Sequence, residues 1–343
     1  MKINSNNEWD TLKEVILGSM DGYFPGLEFN KSFKLKNFDK VIKIAKSAYP
    51  KSYIEEVSED LDDLKKIFLK NNIKVLRPKK YDSNKIFSTP YWSALGADTY
   101  NVRDLHIVVG NKVISSPSPV KYRFYEPYAL HDILLKYFEK GFEWISAPKN
   151  KLNKEYLIPY KEKKLIFDIE DTIQKKFMKG RKEKFHKLNE KEIMFDAAST
   201  IRLGNDLVYL VSNTGNYKGA KWLQSILGKN YKVHAVTSYR ASHIDSTILP
   251  LNSNSVLINS VRVSSKRVPK VFKKWKKIFH SEMAAVPEYE LHFQKKFRDT
   301  AYKKLKDFGV NSHLNSISSP WAGLNVLSIS PKTVLVDKRQ ESL

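Results

Sequence analysis

A histidine and an aspartate stand two positions apart at the start of a short apolar segment, in the triplet His243-Ile244-Asp245. Asp104 and Asp196 stand just before two similar segments. An imidazole can donate or accept a proton near neutral pH, and a carboxylate can orient it. This pattern is typical of the acid and base that serve a cysteine nucleophile, yet the 343 residues contain no cysteine.

Pairs of apolar segments that flank polar turns predict four β-hairpins. A Gly-Asn pair, which suits the positive φ of a tight turn, joins the strands of the first two hairpins at Gly110 and Gly204. The predicted strand pairs are 105–109 with 112–115, 200–203 with 206–211, 247–249 with 256–259, and 325–328 with 333–336.

A helix and a closing strand are predicted after each hairpin except the last, which makes a ββαβ unit. Helical periodicity covers 60–70, 126–140, 218–227 and 268–279. Closing strands are predicted at 73–76, 142–145 and 231–236, with a less clear one at Met283–Val286, and Leu12–Leu17 fits a first, less regular copy. Repeated units that cannot bury their faces alone favour a closed or stacked architecture.

The aspartates fall in register with this repeat. Asp104, Asp196 and Asp245 each precede a hairpin, so they occupy equivalent strand ends that converge on one axis in a propeller. The alternative is coincidence, because aspartate often precedes strands as a turn residue. Convergence would bring three carboxylates to one site.

Length and composition favour one α/β domain over residues 1–343, interrupted by an insertion. Hydrophobic residues are 41% and aromatic residues 12% of the chain, which supports a packed core. Residues 149–192 are Lys-rich and depart from the repeat, with an amphipathic stretch at Leu165–Met178. No membrane-spanning segment or signal core is expected, so we predict a soluble, cytoplasmic protein.

The net charge of +23 raises the question of a polyanionic partner. The excess is mostly lysine spread along the chain, without a zinc finger or an RNP-like aromatic motif. We expect a solvated basic surface, and nucleic acid is not expected as a partner. The lack of cysteine excludes disulfides and thiolate metal sites within these residues, and no metal site is predicted.

Short motifs in constant order resemble one known family over nearly the whole chain. They are Glu8–Asp10, Glu14–Gly18, Arg103–Asp104, Ile107–Asn111, Arg123–Glu126, Phe195–Ala198, Asn216–Tyr217, Gly219, Trp222–Leu223, His243–Asp245, Ser318–Ser319, Trp321, Asn325–Val326 and Val336–Asp337. The sequence resembles the amidinotransferases, typified by glycine amidinotransferase, which are guanidino-modifying enzymes of the pentein superfamily.

The resemblance implies a five-bladed α/β propeller of ββαβ modules, the last of them incomplete in this chain. It implies that an amidino group moves from L-arginine to an acceptor amine through an amidino-cysteine intermediate, without a cofactor. A homodimer is the assembly that the family suggests. A deiminase or hydrolase is the nearest rival within the fold, and the acceptor is left open, with the loop Ser88–Trp92 as a candidate lining.

The resemblance also implies roles for individual residues. By position, His243 matches the general acid/base and Asp196 the carboxylate that works with it. Asp104 and Asp245 match the pair that clamps the guanidinium group. The candidates for holding the amino-acid end of the substrate are Arg262, Ser318 and Ser319.

The family's nucleophile is a cysteine near the C-terminus, and this chain ends before that segment. We therefore expect the chain as it stands to be inactive in transfer. Three interpretations remain: a chain truncated or frameshifted relative to an active enzyme, a natural pseudoenzyme that binds arginine or another guanidino ligand, and a basic structural or nucleic-acid-binding protein.

Overall fold

The structure is a computed structural model. It describes residues 4–20, 26–30, 32–80, 85–153, 155–159, 186–239, 243–260, 262–281, 294–311 and 324–340. None of the helices in these ranges is long and apolar enough to cross a membrane.

Short strands outnumber helices in the described part of the chain. The strands are β1 Glu14–Ile16, β2 Leu27–Phe29, β3 Lys74–Leu76, β4 Ile86–Ser88, β5 Ser93–Leu95, β6 His106–Val109, β7 Lys112–Ser115, β8 Glu143–Ser146, β9 Leu157–Pro159, β10 His186–Leu188, β11 Thr200–Leu203, β12 Asp206–Leu210, β13 Lys232–Val236, β14 Ile248–Asn252, β15 Ser255–Asn259, β16 Lys276–His280, β17 Val310–Asn311, β18 Leu327–Ser330 and β19 Thr333–Leu335. The α-helices are α1 Phe38–Lys46, α2 Lys51–Lys70, α3 His131–Glu139, α4 Tyr217–Leu227 and α5 Thr300–Lys306. Short 3-10 helices include Val102–Asp104, Glu126–Leu130, Ala197–Ser199 and Lys270–Phe272.

Three units share one topology, in which an antiparallel hairpin is extended by a parallel closing strand. Unit A has the order β6-β7-β8, unit B β11-β12-β13 and unit C β14-β15-β16. Helix α3 precedes β8 and helix α4 precedes β13, so the predicted ββαβ unit is confirmed in A and B. The hairpin turns contain Gly110 and Gly204 at φ of +59° and +85°, the left-handed conformation that glycine adopts without strain.

Unit C differs from its prediction. The helix predicted over 268–279 is wrong, because Lys270–Phe272 forms a 3-10 turn and Lys276–His280 forms the closing strand. The apolar side chains do pack inward as their spacing predicts, with Phe272 buried and Trp275 against the same core. Strand β15 pairs with β16 along its outer edge, and this pairing overrides the local helical preference. The less clear strand at Met283–Val286 lies outside the described residues.

The units stack face to face, and the alternation of side chains along β12 shows how. Leu207 and Tyr209 point into a core shared with Ile107 of unit A. Val208 and Leu210 point into a core shared with unit C. A strand that is buried on both faces has a continuous apolar sequence, and stacking sets the starts of all three hairpins side by side.

The first strand and the last described hairpin also share a core. Strand β1 pairs in parallel with β3, and the Leu12 amide donates to the Ile329 carbonyl at 2.9 Å. Phe68 of α2 and Ile329 of β18 are buried in the same cluster. The two-stranded β18–β19 hairpin is confirmed, but its first strand begins and ends two residues later than predicted. No sheet in the described ranges closes on itself, and closure into five blades stays a prediction.

The insertion is described at its two ends. Strands β9 and β10 pair in antiparallel register, and Leu188 and Tyr156 are buried in a cluster with Trp92. The predicted amphipathic stretch Leu165–Met178 lies outside the described residues. The ends of the insertion are thus anchored to the rest of the protein.

Candidate active site

The His243 imidazole lies between two carboxylates that come from different units. Its Nε2 atom is 3.2 Å from Asp196 Oδ2, and its Nδ1 atom is 3.7 Å from Asp104 Oδ1. The side chain of Asp196 is 2% exposed, that of Asp104 14% and that of His243 24%. The starts of hairpins A, B and C therefore meet at one partly open site, as the register of the aspartates predicts.

Ile244 anchors the segment that carries His243 and Asp245. Its side chain is fully buried in the core between units B and C. Its amide donates to the Ala198 carbonyl at 3.1 Å, which ties this segment to the 3-10 helix that follows Asp196. Burial of Ile244 therefore holds His243 and Asp245 against unit B.

Backbone hydrogen bonds also fix the two other aspartates. The Asp196 amide donates to the Thr214 carbonyl at 2.7 Å, and the Asp196 carbonyl accepts from the Ser199 amide at 3.0 Å. Asp104 ends a 3-10 turn in which its amide donates to the Asn101 carbonyl at 3.1 Å. Each carboxylate therefore leaves from a short turn at the start of a strand.

The surrounding carboxylates keep His243 protonated at neutral pH. Burial by itself would lower the pKa of His243, but the three aspartates outweigh burial and raise this pKa to about 9. The Coulomb attraction of Asp104 is the largest single favourable cause, Asp196 contributes through both a hydrogen bond and its charge, and Asp245 contributes through its charge. The resting site therefore holds an imidazolium that can give up a proton.

The two carboxyl groups assigned to the guanidinium clamp have opposite electrostatic environments. Burial would raise the pKa of Asp104, but His243 and Arg123 lower it overall. For Asp245, burial is the main cause of a raised pKa, which His243 and Arg103 oppose. Asp104 is thus firmly ionised, whereas Asp245 would gain from a cationic ligand.

Tyr239 connects Arg262 to the segment that carries His243. Its guanidinium carbon is 5.8 Å from the Tyr239 ring centroid, and its Nη1 atom donates to Thr247 Oγ1 at 2.8 Å. The Tyr239 hydroxyl donates to the His243 carbonyl at 2.8 Å. Burial lowers the pKa of Arg262 to about 10, so this side chain is still cationic at neutral pH. The candidates Ser318 and Ser319 lie outside the described residues.

Sequence comparison decides the family. An inosamine-phosphate amidinotransferase of Streptomyces glaucescens is 33% identical over 345 residues, which cover 99% of this chain and 86% of that protein. The chain belongs to the amidinotransferase family. The L-arginine:L-lysine amidinotransferase of Pseudomonas savastanoi pv. phaseolicola is 28% identical over 347 residues, covering 99% of this chain and 84% of that enzyme.

A solved structure supports the same assignment. The inosamine-phosphate amidinotransferase of Streptomyces griseus matches with a TM-score of 0.75 and 30% identity, over 99% of this chain and 86% of that one. No family model matches the chain. The resemblance derived from short motifs is therefore confirmed, and the fold is that of an amidinotransferase.

A cavity of about 490 Å³ lies between the insertion, unit B and the segment after β13. Its lining includes Glu190, Ser212 and Tyr239 but none of the candidate aspartates, and it shares Tyr239 with the convergent site. Trp92 of the candidate acceptor loop is buried and donates from Nε1 to the Lys151 carbonyl at 2.8 Å, whereas Tyr91 is 53% exposed. Only the exposed part of that loop could line a substrate path.

Sequence reasoning gave no role to three residues that the structure places at the site. Arg123 and Glu126 form an ion pair against Asp104, and Tyr239 links Arg262 to His243. The signal for the pair was an Arg and a Glu three positions apart, which are neighbours on a helical turn. Nothing in the sequence indicated which carboxylate Arg123 would meet.

Proposed function

We propose that this site binds the guanidinium group of L-arginine and supports amidino transfer to an amine. The observation that carries the proposal is the position of His243 between Asp104 and Asp196, with Asp245 two residues along the same segment. A guanidinium is a planar cation with paired N–H donors, and carboxylates around a partly open site suit it.

An unsatisfied atom supports a cationic ligand here. Asp196 Oδ1 is buried and accepts no hydrogen bond from the described residues. A buried carboxylate oxygen without a partner is costly, and an N–H donor from a bound ligand would relieve that cost. The raised pKa of Asp245 has the same consequence, because a bound cation stabilises its ionised form.

Each residue then has a role in the transfer. Asp104 and Asp245 fix the plane of the guanidinium, and Arg262 pairs with the α-carboxylate of arginine. His243, oriented by Asp196, donates its proton to the departing nitrogen as the C–N bond breaks, so that ornithine leaves as a neutral amine. Ser318 and Ser319 are further candidates for the amino-acid end.

The bond-forming partner in the proposed reaction is a thiolate. It attacks the guanidinium carbon, and the amidino-cysteine then passes its amidino group to an acceptor amine. The 343 residues contain no cysteine. We therefore assign to these residues the recognition of arginine and the transfer of protons, and we expect the 343-residue polypeptide to bind arginine without releasing ornithine.

Primary amines form the proposed acceptor class. The names of the two relatives above include inosamine phosphate and L-lysine, which carry amines on different scaffolds. We also propose that the ββαβ units form a five-bladed propeller. It is supported by the hydrogen bond between Leu12 and Ile329, which joins the first and last parts of the described chain.

Calorimetric titration with L-arginine tests the proposed binding. The wild-type chain should bind arginine but not citrulline, which has the same shape without the cation. Asp245→Asn should abolish binding while the circular dichroism spectrum is unchanged. Asp206→Asn is the matched control, because Asp206 belongs to a different His–Asp pair with His234 at 2.6 Å and lies outside the site.

The titrations of the wild-type chain and Asp245→Asn test the binding function and the clamp assignment separately. Undiminished binding in Asp245→Asn would remove the clamp assignment, and a wild-type chain that does not bind arginine would overturn the function. The intact mass of the protein from its source cell is the companion measurement. A cysteine-bearing species heavier than 39.8 kDa would support transfer, and a mass of 39.8 kDa would support binding without transfer.

A further inference from the structure

We propose that Arg123 is a positioning residue, which turns the Asp104 carboxylate so that one oxygen faces His243 and the guanidinium ligand. The inference deepens the proposed function and rests on it. Arg123 Nη1 donates to Asp104 Oδ2 at 2.6 Å. Asp104 Oδ1 is left toward the His243 ring, 3.7 Å from Nδ1.

Arg123 is itself held rigidly. Its Nε atom donates to Glu126 Oε2 at 2.7 Å and its Nη2 atom to Glu126 Oε1 at 2.8 Å. The same Nη2 atom donates to the Asn101 carbonyl at 2.9 Å. The side chain is only 11% exposed. A planar guanidinium bound along two edges has one orientation, and it imposes that orientation on Asp104.

The contact has a directional effect as well as an electrostatic one. Glu126 shares the positive charge of Arg123. Arg123 Nη1 also places a fixed donor on one oxygen of Asp104. Asp104 can then offer the substrate a single oxygen rather than a bidentate edge, and Asp196 and Asp245 must supply the other acceptors.

These contacts also separate Arg123 from Arg262. All three nitrogens of the Arg123 guanidinium group donate to Asn101, Asp104 or Glu126, so four of its five N–H donors are already used and no edge is left for a bidentate carboxylate. Arg262 stays the candidate for that carboxylate. A substrate-binding arginine and a positioning arginine are thus distinguishable by their partners.

Arg202 provides a matched control. It is 13% exposed and binds Glu8 through one edge of its guanidinium group, at 2.9 Å from Nε and 2.7 Å from Nη2. Its other donors meet Ser5 Oγ and the Val108 carbonyl, not Asp104. Loss of this pair should therefore disturb stability to a similar degree without turning a site carboxylate.

Carbon-13 NMR titration of the aspartate carboxyl groups in the ligand-free protein tests the inference. The Asp104 signal is assigned by its loss in Asp104→Asn. The main variant is Arg123→Gln with Glu126→Gln, which leaves no stranded carboxylate. Arg123→Lys is the conservative variant, and Arg202→Gln with Glu8→Gln is the control. Each protein is also titrated with L-arginine by calorimetry.

The Asp104 pKa should rise by about one pH unit in the Arg123/Glu126 double variant, and stay in place in the Arg202/Glu8 control. Arginine affinity near neutral pH should fall about tenfold, as for a lost charge-assisted contact. In Arg123→Lys the Asp104 pKa should rise by less than in the double variant, because lysine keeps one charged donor but lacks the paired donors of a guanidinium group.

An unmoved Asp104 signal in folded variants would overturn the role of Arg123. If the double variant does not fold, the same comparison in Arg123→Lys decides. The two proposals fail separately: a wild-type chain that binds no arginine ends the proposed function, whereas the NMR titration judges Arg123 without any ligand.

Discussion

His243 should make the stability of the protein fall as pH rises through the mildly alkaline range. Its pKa is raised from 6.5 to about 9 in the folded state, so between these values the folded protein holds a proton that the unfolded chain has lost. The contribution is fully present below pH 6.5 and is lost as pH passes about 9. At about 1.4 kcal/mol per pH unit, it amounts to about 3 kcal/mol.

Equilibrium unfolding in urea between about pH 6 and pH 10 measures this term. Urea is preferable to guanidinium chloride, because guanidinium is the group that the site is proposed to bind and would itself stabilise the fold. The quantity of interest is the difference in unfolding free energy between wild type and His243→Gln. Titrating groups that do not interact with His243 cancel in this difference, which should shrink steadily above pH 6.5.

His234→Gln is the control for a general effect of removing a histidine. His234 pairs with Asp206 at 2.6 Å, but the aspartate is 45% exposed, and such surface pairs contribute at most about 1 kcal/mol. The reasoning is refuted if the wild-type and His243→Gln curves stay parallel from pH 6 to pH 10, since no excess proton would then be bound at this site.

Three further predictions concern Arg262, Leu223 and Glu8. Arg262→Gln should weaken the binding of L-arginine about tenfold or more but leave agmatine, which lacks the carboxylate, unaffected in calorimetry; equal losses for both ligands would contradict the carboxylate role. Leu223→Ala empties a fully buried position of α4 and should cost about 2–5 kcal/mol in urea unfolding, whereas exposed Lys221→Ala should cost little. Glu8→Gln leaves buried Arg202 without its carboxylate and should cost about 3 kcal/mol at neutral pH. Burial would raise the pKa of Glu8, but Arg202 outweighs burial and lowers this pKa to about 2. The cost of Glu8→Gln should therefore disappear as pH falls from about 4.5 toward 2. A cost that stays constant in acid would contradict this prediction.

The hairpins of units A and B were predictable because local rules define them. Gly110 and Gly204 supply the positive φ that tight turns require, and apolar runs flank both turns. The helices after them follow from apolar spacing alone, since α4 has Leu223 and Leu227 buried four residues apart. These features depend only on neighbours in sequence.

Unit C shows where local rules fail. The spacing of Phe272 and Trp275 is helical, and both contact the core, but the chain leaves the turn and becomes strand β16. The decision depends on β15, whose outer edge needs hydrogen-bond partners that the sequence around Trp275 does not reveal.

The sequence by itself determined the family, the repeated hairpins and the set of aspartates around His243. It could do so because turn residues, side-chain periodicity and the order of motifs can be recognised from residue types and their positions in the sequence. Only the tertiary structure decided that Arg123 meets Asp104 and that His243 lies between two carboxylates. Those contacts join residues 19, 47 and 139 positions apart, and electrostatic energies depend on distance in space and on burial.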